Sequence, residues 1–417
     1  MKQALGSGSS LVVKKCQVCD SSDLEQLLFL GYLPPVNQMR AIGETPHEQP
    51  SYPALLLKCN KCQLVQLGLI VDAKILFPPE YPYTSGTTKI LRDNFAELYQ
   101  ECSKIINLNS NDLVVDIGSN DGTLLSNFAS KHKVQGITPE DVGKTAIEKG
   151  IPTLISYFNK DSSYKVKKER GPAKIVTATN VFAHVEHIHE FVDSVANMLC
   201  DDGVFISESH YLIGLIETLQ YDTIYHEHMR YYSLTSLKYL LETHGFSIFH
   251  AKQIPTHGGS IRVYATKSKA YKTCKSVGEI LAKEALVMKQ ANLEKFKKRV
   301  VVSKLALHSV LVDIKKKGGR IFGVGAPSRG STLVNYAGID DGILDCIVET
   351  KGSYKVGKYL PGTLIPVVDE ERLFSEQPEY AMLLSWHISD ELIPKLAQKG
   401  FKGKFIVPLP DPKIVSS

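Results

Sequence analysis

The sequence predicts an α/β protein with a small metal-stapled domain at the N-terminus and two Rossmann-like domains after it. Three observations lead to this prediction. Two Cys-x-x-Cys pairs lie in the first eighty residues, strands and helices alternate from residue 113 to residue 208, and a second strand-turn-helix unit starts near residue 320. Because 417 residues exceed what one hydrophobic core usually holds, we expect domains at residues 1–80, 81–275 and 276–417.

The composition is that of an ordinary folded, soluble protein, with 43% hydrophobic and 22% charged residues. The net charge of +5 is too small for a nucleic-acid-binding protein but suits an anionic small substrate. No apolar run approaches the roughly 18 to 20 residues that span a bilayer, and the first residues lack the core of a signal peptide. We therefore expect a cytoplasmic monomer that binds neither nucleic acid nor membranes.

The first domain is predicted from its cysteines, Cys16 with Cys19 and Cys59 with Cys62. Two such knuckles present four thiolates to a tetrahedral ion, and a reducing compartment favours zinc over disulfides. No histidine or open ligand position is evident, so the zinc is expected to be structural. Redox-active cysteine pairs and thiols without a ligand are the alternatives.

The second domain is predicted from the alternation of buried strands and amphipathic helices, which is typical of a parallel, doubly wound sheet. The predicted helices are 88–107, 122–131, 141–148, 188–200, 214–222 and 233–244, and the predicted strands are 113–117, 133–137, 174–178 and 202–208. The third domain begins with a lysine-rich helical stretch at 276–317, and further strands are predicted near 343–348, 380–385 and 403–407.

A glycine-rich turn follows the strand 113–117 and predicts a ligand site. Its candidate contacts are Asp116, Gly118, Asn120, Asp121 and Gly122. The carboxylates would repel a pyrophosphate but suit the sulfonium and amino groups of S-adenosylmethionine; a structural turn is the alternative.

In such folds an acidic residue after the second strand usually holds the ribose hydroxyls. Here Thr138 occupies that position and Glu140 is the nearest substitute, while Asn180 follows a neighbouring strand and is a further candidate for donor binding.

The run from Tyr225 to Tyr232 packs two histidines, a glutamate and three tyrosines into eight residues. His228 is the predicted general base, oriented by Tyr225 and Glu227. An extended backbone would direct Tyr225 and Glu227 to one side and His226 and His228 to the other. His184, just after the strand 174–178, is expected to face the same crevice. A structural histidine, or metal binding by His226 and His228, is the alternative.

The third domain contains the turn Gly323-Val324-Gly325-Ala326-Pro327-Ser328-Arg329-Gly330. Gly325, Ser328 and Arg329 are expected to hold a diphosphate at the start of a helix, and His257 is expected to line the same cleft. A purely structural turn is the alternative.

Taken together, these motifs resemble the S-adenosylmethionine-dependent nucleotide-sugar C-methyltransferases that act on 4-keto-deoxysugars. The resemblance covers nearly the whole chain and includes Tyr81-Pro82-Tyr83-Thr84-Ser85, Asn180-Val181-Phe182-Ala183-His184, Asp222-Thr223-Ile224-Tyr225-His226-Glu227-His228 and His257-Gly258-Gly259-Ser260. It implies a zinc-binding domain, a class I methyltransferase domain, and a C-terminal Rossmann-like domain that helps to hold the nucleotide sugar.

The resemblance also implies catalytic roles for Tyr225, Glu227, His228, His184, Tyr81 and Tyr83. The implied reaction is enolisation of the keto sugar and methylation of its carbon 3, in deoxysugar biosynthesis. Thr138 departs from the acidic residue that the family usually has at the ribose position. A sugar O-methyltransferase, a zinc-ribbon binding protein without catalysis and an oxidoreductase are the rival hypotheses.

Overall fold

Four β-sheets organise the structure, a computed structural model that describes residues 10–45, 47–77 and 89–416. The N-terminal part is built mainly of short strands. These are β1 (Leu11–Val12), β2 (Leu24–Leu33), β3 (Arg40–Ala41), β4 (Tyr52–Cys59), β5 (Val65–Leu67) and β6 (Leu69–Ile70), followed by helix α1 (Ala73–Leu76). β2, β4 and β5 pair antiparallel, and β1 pairs with β6.

The central part alternates strands and helices. Its elements are α2 (Lys89–Ile105), β7 (Leu113–Ile117), α3 (Thr123–Ala129), β8 (Lys133–Thr138), α4 (Gly143–Glu148), β9 (Thr153–Ile155), α5 (Lys160–Arg170), β10 (Ala173–Thr179), α6 (Ile188–Met198), β11 (Leu199–His210), α7 (Leu212–Glu217), β12 (Arg230–Tyr231), α8 (Leu234–Thr243), β13 (Ser247–Ile254) and β14 (Ser260–Thr266). A sheet of order β13-β14-β11-β10-β7-β8-β9 results, in which β7 to β11 are parallel and β13 and β14 form an antiparallel hairpin. This sheet confirms the predicted Rossmann-like methyltransferase fold.

The C-terminal part forms a second Rossmann-like unit. Its elements are α9 (Lys275–Val287), α10 (Gln290–Lys316), β15 (Ile321–Val324), α11 (Ser328–Ala337), β16 (Cys346–Glu349), β17 (Lys358–Tyr359), β18 (Pro366–Asp369), α12 (Glu371–Glu376), β19 (Tyr380–Leu383), α13 (Ser389–Gln398), β20 (Lys404–Val407) and β21 (Lys413–Val415). The sheet order is β21-β20-β19-β15-β16-β18-β17-β3. The predicted helical stretch 276–317 is two helices, because the chain is extended at Lys289 (φ −61°, ψ 140°).

Strands cross between these parts at two places. β12, which directly follows the Tyr-His-Glu-His run, pairs with β5 of the N-terminal part. β3 of the N-terminal part pairs with β17 and becomes the edge of the C-terminal sheet. The predicted domain limits remain predictions. The pairing of β12 with β5 places the Tyr-His-Glu-His run next to the N-terminal part, and the pairing of β3 with β17 joins that part to the C-terminal sheet.

Several elements escaped the sequence analysis. α5 has almost no apolar periodicity, yet Asn159 and Ser162 form a capping box at its start, and that pattern could have revealed it. β9 and the strand β13 were also missed. In the described part of the chain no helix is long and apolar enough to cross a membrane.

Candidate active site

The turn after β7 forms a cradle at the carboxyl edge of the central sheet. Gly118 has a φ of +73°, and a Cβ there would lie 2.6 Å from the Val181 side chain. Glycine is therefore required both for the backbone conformation and for the close approach of the next loop. Asp116 is buried behind the turn, where it accepts a hydrogen bond from the Thr177 hydroxyl at 2.6 Å, and burial raises its pKa to about 7.

Two further carboxylates, Asp121 and Glu140, lie at this edge of the sheet and have different partners. Asp121 Oδ1 accepts hydrogen bonds from the backbone amide and the hydroxyl of Thr123 at the start of α3, and Glu140 stays the predicted ribose contact. Its carboxylate accepts a hydrogen bond from the Asn120 amide at 2.9 Å, and burial raises its pKa. Thr138 itself is buried.

The cradle fits an adenosyl methyl donor. Asn180, at φ +59°, has a buried side-chain oxygen without a hydrogen-bond partner among the described residues. An orphaned acceptor is costly unless a ligand or water satisfies it. A glycine cradle, a carboxylate and an unsatisfied amide oxygen are groups that such a donor would use, and the S-adenosylmethionine contacts at this turn stay a prediction.

Tyr225 and His228 form a hydrogen-bonded pair. The Tyr225 hydroxyl lies 3.1 Å from His228 Nε2, and the ring centroids are 4.2 Å apart. His228 Nδ1 lies 3.2 Å from the carbonyl oxygen of Thr223. A carbonyl only accepts, so Nδ1 carries the hydrogen and Nε2 of the neutral ring keeps its lone pair. Burial holds the pKa of His228 well below its ordinary value, which keeps that lone pair available at neutral pH.

The expected alternation of side chains in this run is wrong. The segment is a turn, in which the His228 amide donates to the Tyr225 carbonyl at 3.0 Å, so Tyr225 and His228 face each other. His226 instead packs edge-on against Tyr52, at 5.8 Å between ring centroids. The paired-histidine metal site therefore does not form: among the described residues, only a cysteine cluster could hold a metal ion.

Three further histidines surround His228. His184 and His210 each lie 5.0 Å from it between ring centroids, and His257 stacks on His210 at 5.3 Å. Burial lowers the pKa of His184 and of His257 to about 4, and that of His210 also falls well below its ordinary value. The site thus contains neutral imidazoles, each of which offers one donor and one acceptor.

Glu227 points to the junction between the N-terminal and C-terminal parts. Its carboxylate accepts a hydrogen bond from the Asn37 amide at 2.6 Å, and the Tyr354 hydroxyl donates to the Asn37 side-chain oxygen at 3.4 Å. Glu227 is therefore held by a group outside the central sheet. The predicted catalytic residues Tyr81 and Tyr83 lie outside the described residues.

The four predicted zinc ligands come together. The Sγ atoms of Cys16 and Cys62 are 3.4 Å apart, as are those of Cys19 and Cys59, and all four lie within 4.8 Å of one another. Four thiolates around zinc stand about 3.8 Å apart, so the cluster fits one ion with a closed shell. The chain binds zinc here, away from the histidines.

The C-terminal glycine turn leads into α11, and its predicted diphosphate contacts stay a prediction. Gly325 has a φ of +77°, and the Ala326 amide donates to Glu349 at 2.8 Å. Ser328 starts α11 as expected. Arg329, however, is buried and directs its guanidinium at Asp222, with which it forms a two-pronged ion pair at 2.8 and 2.9 Å. It contacts the central part because residue 329 faces inward on the first turn of α11.

Sequence reasoning missed several groups of the site. His210 ends β11 at the same sheet edge as His184, so the rule that identified His184 could have found it. Asn37 and the Thr223 carbonyl could not have been found, because the first is 190 residues from Glu227 and the second acts through its backbone.

Comparison with known proteins places methyltransferase models along most of the chain. A domain described as zinc binding matches residues 16–77, a methyltransferase domain matches residues 88–251, and a C-methyltransferase C-terminal domain matches residues 255–410. The chain is 29% identical over 413 residues to the C-methyltransferase NovU of Streptomyces niveus, with 97% of each chain covered.

Two solved structures resemble less than half of the chain, with low TM-scores. One is a magnesium protoporphyrin IX methyltransferase from Synechocystis with bound S-adenosylmethionine, at 16% identity and a TM-score of 0.33, with 42% of this chain and 79% of that chain covered. The other is an S-adenosylmethionine-dependent methyltransferase from Clostridium acetobutylicum, at 12% identity and a TM-score of 0.32, with 43% and 92% covered.

Proposed function

Because the chain belongs to the S-adenosylmethionine-dependent C-methyltransferases, we propose that it methylates carbon 3 of a nucleotide-linked 4-keto-deoxysugar. Methylation at carbon needs a carbanion equivalent, and a ketone at carbon 4 makes the hydrogen at carbon 3 acidic because the charge delocalises onto oxygen. The protein must then supply a base for that hydrogen and a donor for the developing enolate oxygen.

The observation that carries this proposal is the unprotonated Nε2 of His228. The Thr223 carbonyl accepts the Nδ1 hydrogen and so fixes the tautomer of the imidazole, and burial keeps the pKa of His228 low. A neutral imidazole is the form that accepts a proton. The Tyr225 hydroxyl, at 3.1 Å, donates its hydrogen to Nε2 in this tautomer, and it can turn that hydrogen to the substrate oxygen once Nε2 has taken the proton. His228 is thus the base and Tyr225 its partner.

The flanking histidines support stabilisation of the enolate. The imidazole rings of His184 and His210 lie beside His228 and are neutral, because burial lowers their pKa. A neutral imidazole N–H can donate to an oxygen that gains negative charge. Glu227, fixed by Asn37, is proposed to bind sugar hydroxyls rather than to polarise His228. Tyr81 and Tyr83 keep their predicted roles as further donors.

In the proposal, the methyl donor and the nucleotide of the substrate bind on opposite sides of His228. S-adenosylmethionine supplies an electrophilic methyl group, and Gly118, Asn120, Glu140 and Asn180 orient the donor towards His228. Gly325 and Ser328 at the start of α11 hold the diphosphate, where unpaired helix amides favour anions, and His257 lines the path between. Proximity then supplies much of the rate.

The test is incubation of the zinc-loaded enzyme with S-adenosylmethionine and a panel of nucleotide-linked 4-keto-deoxysugars and their 4-hydroxy counterparts. We expect mass spectrometry to show one added methyl group with the keto sugars alone, and NMR to place that group on carbon 3. A methyl group on oxygen, or equal turnover of the 4-hydroxy sugars, would contradict the enolate mechanism and favour a sugar O-methyltransferase.

A further inference from the structure

We propose that Arg329 is a positioning residue for the catalytic segment, and that it acts through Asp222 rather than on the phosphates of the substrate. The inference deepens the proposed function, since it rests on His228 as the base. On this proposal, a residue of the C-terminal part fixes the position of the proposed base in the central part.

Every nitrogen of the Arg329 guanidinium has a partner in the central part. Nε and Nη2 donate to the two carboxylate oxygens of Asp222 at 2.8 and 2.9 Å. Nη2 also donates to the Gln220 side-chain oxygen at 3.2 Å, and Nη1 donates to the His257 carbonyl at 3.5 Å. Four of the five guanidinium N–H groups are used in these bonds, and the residue is only 7% exposed, so no more than one Nη1 hydrogen is left for a phosphate.

Both carboxylate oxygens of Asp222 also accept hydrogen bonds within the protein. Asp222 is fully buried, and its Oδ2 also accepts a hydrogen bond from the Trp386 indole at 2.7 Å. The Arg329 guanidinium lies over that indole ring, at 4.9 Å from its centroid. Two-pronged arginine-carboxylate pairs fix geometry as well as charge, and a buried carboxylate that loses its cation is strongly disfavoured. The ion pair therefore acts as a rigid clamp between α11 and the segment at Asp222.

One arm of the clamp reaches His228. Asp222 lies in the single helical turn Tyr221–Thr223, and the carbonyl of the next residue, Thr223, accepts the Nδ1 hydrogen of His228. The orientation of that carbonyl selects the tautomer with a lone pair on Nε2. Movement of Asp222 would move the carbonyl and release the imidazole.

A second arm reaches His257, which has a φ of +55°, a conformation that residues other than glycine rarely adopt. Its carbonyl is held by Arg329, and the carbonyl of Gly258 is held by the Gln220 amide. The surrounding hydrogen bonds thus maintain a strained backbone that stacks the His257 ring on His210.

The experiment compares Arg329→Met, Asp222→Asn and the double variant with wild type and with Arg329→Lys. The matched control is Arg320→Met, at a half-buried arginine that directly precedes β15 and pairs with Glu376. We expect kcat to fall about 100-fold in each single variant, because small displacements of reacting groups have effects of that order. We expect the KM for the nucleotide sugar to change less than about threefold, and Arg329→Lys, which keeps one charged contact, to recover part of kcat.

The double variant should be no worse than either single one, since both remove the same clamp. A tenfold rise in KM with unchanged kcat in Arg329→Met, combined with a silent Asp222→Asn, would overturn the proposal and make Arg329 a phosphate ligand. Trp386→Phe removes only the indole bond to Asp222 and should lower kcat several-fold; should the charge variants fail to fold, an unchanged kcat there would also count against the clamp.

A second readout needs no substrate. Nitrogen-15 NMR of the His228 ring in the ligand-free protein should show the hydrogen on Nδ1 in wild type and a mixture of tautomers in Arg329→Met. An unchanged tautomer would refute the clamp. This NMR measurement uses no sugar, so its result does not depend on which sugar the enzyme methylates. A failure of the proposed function would show in the methylation assay and not in the tautomer of His228.

Discussion

The replacement His228→Asn tests the proton-transfer step directly. The asparagine side-chain nitrogen stands close to the position of Nδ1, so it retains the hydrogen bond to the Thr223 carbonyl, while Nε2 and its lone pair disappear. The loss of a positioned general base typically costs 10² to 10⁴ in rate, or about 3 to 5 kcal/mol in activation free energy. We expect kcat to fall by that factor.

The decisive assay follows exchange of the hydrogen next to the ketone in deuterated water, without S-adenosylmethionine. Wild type should exchange it, and His228→Asn should do so at least about 100-fold more slowly. Affinity for S-adenosylmethionine should stay unchanged, because His228 is not among the residues proposed to bind the donor. The matched control is His187→Asn, at an exposed histidine that precedes α6. Exchange at the wild-type rate in His228→Asn would refute the assignment of the base.

Three further outcomes are expected. Cys59→Ser should lose the zinc, measured by elemental analysis, and lower the melting temperature, whereas the exposed Cys274→Ser should change neither. Glu140→Gln should weaken S-adenosylmethionine binding about tenfold in calorimetry, since it removes a charged acceptor at the ribose position; equal affinity would exclude Glu140 as that acceptor. The free energy of unfolding should fall between pH 7 and pH 5, because burial lowers the pKa of His226 to about 4 and only the unfolded chain takes up its proton below about pH 6.5. This histidine alone accounts for roughly 2 kcal/mol at pH 5, so His226→Phe should flatten the pH dependence measured by denaturant titration.

Much of the fold was accessible from sequence because its information is local. Apolar runs marked β7 and β10, glycines marked the turns that follow strands, and Cys-x-x-Cys spacing marked the zinc ligands. The exceptions have physical causes. α5 is a polar surface helix without an apolar stripe, and β13 belongs to a hairpin whose pairing depends on β14 and β11.

The residue types of the catalytic group were also predictable, but their directions were not. An alternating strand was assumed for the run at Tyr225, and the turn that actually forms places Tyr225 against His228. That turn is imposed by β12, which must reach β5 in another part of the chain.

By itself, the sequence determined which groups the protein has available: four thiols for zinc, a glycine turn for a methyl donor, and a dense set of proton-handling side chains. The tertiary structure decided which of them meet. It paired Arg329 with Asp222 instead of a phosphate, brought His210 beside His228, and gave Glu227 an amide from Asn37. These contacts span 18 to 190 residues of chain, and only tertiary packing brings such distant groups together.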